Sequence, residues 1–144
     1  MIQAQLKLNL TDRQERILGR WLFRLTGLWN WAIRKIELDA HDGIYHSPFD
    51  FQNILKGHSE KVGIPSHVLQ GTLSQAHTAW KRCFKKIAKR PKLKGVRNRL
   101  NSIPFPDPIK AVKKNRVSLL GIGSLRFHHQ EIPAYSIILT FLDQ

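Results

Sequence analysis

The side chains that could do chemistry in this chain are unevenly supplied. Its one cysteine, Cys83, has no partner for a disulfide or a zinc knuckle. It lies among Ala76, Trp80, Phe84 and Ile87 at helical spacing, the setting of a buried structural thiol rather than of a nucleophile. Seven histidines are scattered, and the pairs His41/His46 and His128-His129 are read as lacking the carboxylate or Cys partners that metal sites use. No strand–turn–helix context sets up a nucleophile elbow, and no pair of carboxylates is spaced for two-metal or acid–base work. The glycines of "GIG" at 121–123 are not followed by the Lys-Ser/Thr of a phosphate-cradling loop. The residues therefore predict no catalytic group, no metal and no cofactor.

What the chain does supply is positive charge. The net charge is +14, and it is concentrated: Lys81 to Arg116 holds fourteen Lys/Arg against the single acid Asp107, while the other 108 residues come to +1. Like charges packed so densely repel one another unless a polyanion neutralises them. The candidate nucleic-acid-binding residues are Lys81, Arg82, Lys85, Lys86, Lys89, Arg90, Lys92, Lys94, Arg97, Arg99, Lys113, Lys114 and Arg116. Lys81, Lys85 and Lys89 fall at i, i+4 on one line, which predicts a basic ridge along the end of a helix. Arg97 and Arg99 carry the guanidinium fork that suits paired phosphate or guanine acceptors. Phe105, between Pro104 and Pro106, and Phe127, on a short strand, are candidates for base stacking, with a place in the core the favoured alternative for each. A groove using about 6–8 of these cations predicts a log–log salt slope of roughly −4 to −7.

These residues need elements to position them. Residues 2–10 alternate apolar and polar, as in a half-buried strand, and Thr11 with Gln14 has the spacing of a capping box. Ile17, Leu18, Trp21, Leu22, Leu25, Leu28, Trp29, Ala32, Ile33 and Ile36 then form the stripe of a long helix ending near Asp39. "PFDFQNILKGH" predicts a short helix. A second long helix follows "GIPS", with Ser66 as N-cap and an inner stripe from Val68 through Trp80, Cys83 and Phe84 to Ile87. Past Pro91 "IPFPDP" is expected as a stiff turn, and the later periodicity is that of strands, three of them between about 115 and 142. The first strand needs a ladder, and its only visible partners lie beyond residue 115. The expected fold is thus α+β: a small discontinuous β module (1–10 and 91–144) with an inserted helical lobe (11–90) of two long helices and one short one. No apolar run approaches the roughly 20 residues of a membrane span, and the N-terminus lacks the pattern of a signal peptide. A soluble, cytoplasmic protein without a membrane partner is expected.

The order of these features carries a resemblance. A strand, the helix start "LTDRQ", "WNWAI", "GIPSHVLQGTLSQAHTAWKRCFKK", "RPKLKG" and "NSIPFPDPI" together resemble the N-terminal region of TnpB proteins, also called OrfB transposases, which are similar to compact type V CRISPR effectors. The resemblance implies a wedge module with an oligonucleotide-binding-like (OB-like) β-barrel, interrupted by a recognition lobe. It also implies that this half grips a structured guide RNA and helps to hold the guide–target DNA duplex. Pro91, Lys92, Leu93 and Lys94 stand where the family usually has Pro-Arg-Phe-Lys, so Leu93 replaces an aromatic residue. Asn30 matches a recurrent Asn of the first helix, to which a structural role is assigned. The family's RuvC-type nuclease acids and Cys-rich zinc ribbon have no counterpart here, which makes a separate nuclease chain or an intact effector a candidate partner. Two other readings stay open: a helix-turn-helix module on duplex DNA, which needs basic residues at the start of a short recognition helix, and a non-catalytic docking partner using Ile138 and Leu142.

Overall fold

A computed structural model describes residues 8–95, 100, 102–108, 112–113, 116–119, 123–127 and 136–140, with side chains for 10–95, 100, 103 and 104. Helix α1 (Asp12–His41) opens on the expected capping box. The Gln14 amide N–H donates to Thr11 Oγ1 at 3.2 Å, and the Thr11 amide donates to Gln14 Oε1 at 3.1 Å. Two of the donors that a helix start leaves open are satisfied in this way. Thirty residues make α1 about 45 Å long.

The chain then turns at Gly43, whose φ of +75° favours a residue without a Cβ. Pro48 occupies the first turn of helix α2 (Pro48–Ile54), where the missing N–H costs nothing. Helix α3 (His58–Val62) is a second short helix, between left-handed Gly57 and Gly63, and it was not expected. Helix α4 (Ser66–Phe84) starts one residue earlier than expected, with Pro65 at the N-cap and Ser66 inside the helix.

The core lies between α1 and α4. Leu18, Leu25, Ala32 and Ile33 of α1 meet Val68, Leu69, Leu73 and Ala76 of α4, and Phe51 of α2 and Ile64 close one side. Trp80 is buried and donates its indole N–H to the Ile33 carbonyl at 3.0 Å, so its one polar atom is satisfied across the helix pair. Trp21 is buried, and Trp29 and Trp31 pack half-buried against the core.

The expected α+β fold with a barrel-like wedge is overturned. Among the residues whose side chains are described, the fold is mostly helical, with one short strand and no barrel. The paired backbone beyond them forms two separate antiparallel ladders. Strands β1 (Leu8–Asn9), β3 (Val112–Lys113), β4 (Arg116–Leu119) and β5 (Gly123–Phe127) stand in the open order β1-β5-β4-β3. Strand β2 (Ser102–Pro108) pairs only with β6 (Ser136–Thr140). The physical reason is strand length: β1 and β3 are two residues each, too short to close a sheet on itself.

Strand β2 also corrects the reading of "IPFPDP" as a turn. Pro104 and Pro108 stand in register with Ile138 and Ser136, and a register shift between Phe105 and Pro108 leaves Pro106 in a bulge, a setting that tolerates a residue without an N–H. Ile103 and Phe105 are in register with Leu139 and Ile137, and the other edge of β2 has no partner among the described residues. Ile103 is fully buried and joins the helical core, where β2 packs on α4. Among the described residues no helix is long and apolar enough to cross a membrane.

Candidate nucleic-acid interface

Helix α4 does not carry its basic residues as far as the spacing suggested. It ends at Phe84, so Lys81 and Arg82 sit in its last turn while Lys89 and Arg90 lie beyond it. The stop is a Schellman turn: the Ile87 amide donates to the Arg82 carbonyl at 3.0 Å, the Lys86 amide to the Cys83 carbonyl at 2.9 Å, and Lys86 takes a φ of +60°. Glycine usually fills that left-handed position; a lysine hides the stop from sequence reading. Phe84 and Ile87, expected in the inner stripe, are exposed as a result, and Cys83 is half-buried against the core. Lys81, Arg82, Lys85, Lys86, Lys89 and Arg90 all face solvent.

The next residues are strapped onto α1. Arg90 meets Glu37 at 2.6 Å, and the indole N–H of Trp29 donates to the Lys92 carbonyl at 3.1 Å. Asn30 holds Lys94 from both sides, its amide NH₂ donating to the Lys94 carbonyl and its amide oxygen accepting the Lys94 N–H, each at 2.7 Å. Further on, the Leu100 amide donates to Thr26 Oγ1 at 3.2 Å. The anchor points step from Glu37 to Asn30 to Thr26, so the strap runs antiparallel to α1. Lys92 stays exposed, and the Lys94 ammonium lies 6.0 Å from the centroid of the Trp29 ring, at the limit of a cation–π contact. The structural role expected for Asn30 is visible in these two bonds.

A set of cations that the sequence reading passed over lies on α1 itself. Arg13, Arg16, Arg20, Arg24 and Arg34 recur at helical spacing on its exposed face. Among the described residues none of the five makes an ion pair. No acid occurs between Arg16 and Lys35. Phe23, 77% exposed, stands in this face, and Gly27 leaves a flat spot where an added Cβ would meet nothing within 4 Å. Arg34 is one turn from Asn30 and one turn from Glu37, the residues that anchor the strap. The arginine face and the strap lysines are therefore side by side. A count of charge along the chain missed this because Asp12, Glu15, Glu37 and Asp39 offset the arginines in number; a count by helix face finds it.

Three acids near the C-terminal end of α1 and the following loop are engaged, whereas Asp12 and Glu15 at its N-terminal end make no ion pair among the described residues. Glu37 takes Arg90. Asp39 accepts from Lys35 at 3.0 Å and also bonds His46 Nε2, and these hydrogen bonds hold its carboxyl below the usual value. Asp50 lies below it as well, chiefly because the Ser47 backbone N–H donates to it at 2.9 Å. His46 thus has two carboxylate partners, Asp39 and Asp50, where none was expected, and among the described residues no cluster could hold a metal ion.

Beyond the strap, the ladder places Lys113 opposite Arg116 and Arg116 opposite Arg126. Arg97, Arg99 and Lys114 lie outside the described residues, as do the side chains of Lys113, Arg116, Phe105, Phe127, Ile138 and Leu142. Helix α4 bears no Lys or Arg before Lys81, so its N-terminal half is not the basic start of a recognition helix. No protein-family model matches the chain, and no curated protein matches it significantly.

Proposed function

We propose that this chain is a nucleic-acid-binding protein that grips a structured RNA through phosphate contacts, as the guide-RNA-holding half of a TnpB-like effector does, and that its own residues carry no catalytic step. The observation that carries the reading is the juxtaposition of the anchored strap, bearing Lys92 and Lys94, with the arginine face of α1. Together they make one broad cationic surface, in which Glu37, the acid between the arginine face and the strap, is paired with Arg90. Arg16, Arg20 and Arg24 repeat about every 6 Å along the helix, a row of guanidinium groups suited to successive phosphates. The order of sequence motifs is what directs the reading to RNA and to a nuclease-bearing partner, with guide-paired DNA as a further ligand.

The test is competition binding of structured RNA, duplex DNA and single strands at two salt concentrations. The expected result is preference for structured RNA with a log–log salt slope of roughly −4 to −7. Changing Lys85, Lys89, Lys92 and Lys94 together to Ala should weaken RNA binding and flatten the slope by about 3. Sequence-selective preference for duplex DNA would overturn the RNA reading, and unchanged RNA affinity in the quadruple variant would overturn the strap as a site.

A further inference from the structure

At the end of the helix pair, where α1 and α4 both finish, a groove of about 360 Å³ is lined by Glu37, His41, Tyr45, Trp80, Phe84 and Arg90, among others. Its floor is rigid, because Trp80 is buried and held by its bond to Ile33. Phe84 stacks on Trp80 with centroids 5.4 Å apart and planes 25° from parallel, and Tyr45 meets Phe84 edge-on at 6.0 Å. Tyr45 is nevertheless 72% exposed and Phe84 49% exposed, an aromatic surface left open to water. Beside the aromatic pair Trp80/Phe84 runs a parallel pair one residue on, Lys81/Lys85, both exposed. Among the groove's lining residues the one carboxylate, Glu37, is occupied by Arg90.

An apolar platform edged by cations fits one ligand class better than any other: an unpaired nucleobase whose flanking phosphates are negative. Every base has a π-face, so stacking is tolerant of sequence, while the adjacent lysines fix the backbone. A purely apolar partner would find no use for Lys81 and Lys85, and a phosphate-only ligand would find none for Tyr45 and Phe84. We infer that this groove is a stacking site for an unpaired base of a single-stranded segment, on the open rings of Tyr45 and Phe84 with the neighbouring phosphates on Lys81 and Lys85. The inference rests on the polyanion-binding reading above and adds a contact to the bases that the cationic surface does not make.

The test compares a 12-nucleotide oligouridylate with an abasic strand of the same length and charge, by fluorescence anisotropy at fixed salt. Wild-type protein should bind the base-bearing strand about tenfold more tightly. Tyr45→Ala, which removes a mostly exposed side chain, should bind both strands alike, at the abasic affinity, with its salt slope unchanged because stacking releases no counterions. Phe84→Ala should do the same, with far-UV circular dichroism confirming the fold of each variant. Equal binding of both strands by the wild type, or a tenfold preference that survives Tyr45→Ala, would overturn the stacking site and leave the cationic surface standing. Failure of either strand to bind even at low salt would overturn both.

Discussion

At the scale of single residues, Asn30 decides where the basic segment goes. Its side-chain amide satisfies the N–H and C=O of Lys94 together, as a neighbouring strand would, and no other residue type of that length offers a donor and an acceptor at once. Asn30→Ala should lower stability by about 1–3 kcal/mol and open the 89–94 segment to trypsin, and an unchanged cleavage pattern would show that the other anchors suffice. Lys86 marks the opposite case, a residue in a conformation it does not favour. Lys86→Gly should raise stability by about 0.5–1 kcal/mol, relief of the left-handed strain outweighing the greater chain entropy of glycine, as urea unfolding would measure. The carboxyls of Asp39 and Asp50 sit below their usual value in the folded state, so their stabilisation is present above the ordinary carboxylate value and is lost as pH falls from there through the lowered folded-state value. Urea midpoints between about pH 5 and pH 2 should therefore fall less steeply in Asp39→Asn than in the wild type.

At the scale of elements, α1 shows which parts of the fold were legible. Its apolar stripe and capping box depend on spacing and local hydrogen bonds, both written in the sequence, and each residue of that stripe is buried or packed against the core. The end of α4 was not legible, because a lysine at the left-handed position removes the glycine that normally signals a stop. Helix α3 escaped because five residues are too few for a periodic pattern to emerge. Strand β2 read as a turn because three prolines suggest one; only the pairing with β6 reveals an extended strand that takes up Pro106 in a bulge. Of the candidate site, the run of strap cations was legible and the arginine face was not, since charge summed along a helix hides charge segregated around it. Gly27 offers a check on that face. With open space at its Cβ position, Gly27→Ala should stabilise α1 by about 0.5–1 kcal/mol in thermal or urea unfolding. The opposite sign would indicate a backbone conformation at Gly27 that alanine does not tolerate.

At the scale of the whole molecule, two cationic surfaces that are distant in sequence become neighbours because the chain returns along its first helix. Arg16, Arg20 and Arg24 should then behave as one unit with Lys92 and Lys94. Changing the three arginines to Gln should reduce the salt slope by about 2–3, and adding the two strap changes should reduce it further in proportion to the charges removed. The loss should be similar for all sequences of a given nucleic-acid type, because phosphate contacts position without specifying. A loss confined to one sequence would instead assign the arginines to base edges.

The bond pair at Asn30 has a kinetic consequence. A basic tail that must order itself on contact slows productive encounter and spreads it over several phases, whereas a strap already fixed to a helix presents its charges in place from the first collision. Stopped-flow association with a short RNA should accordingly be a single exponential, its rate constant falling steeply with ionic strength. In Asn30→Ala the same experiment should show a slower second phase, as the released strap finds its place on a ligand that has already arrived.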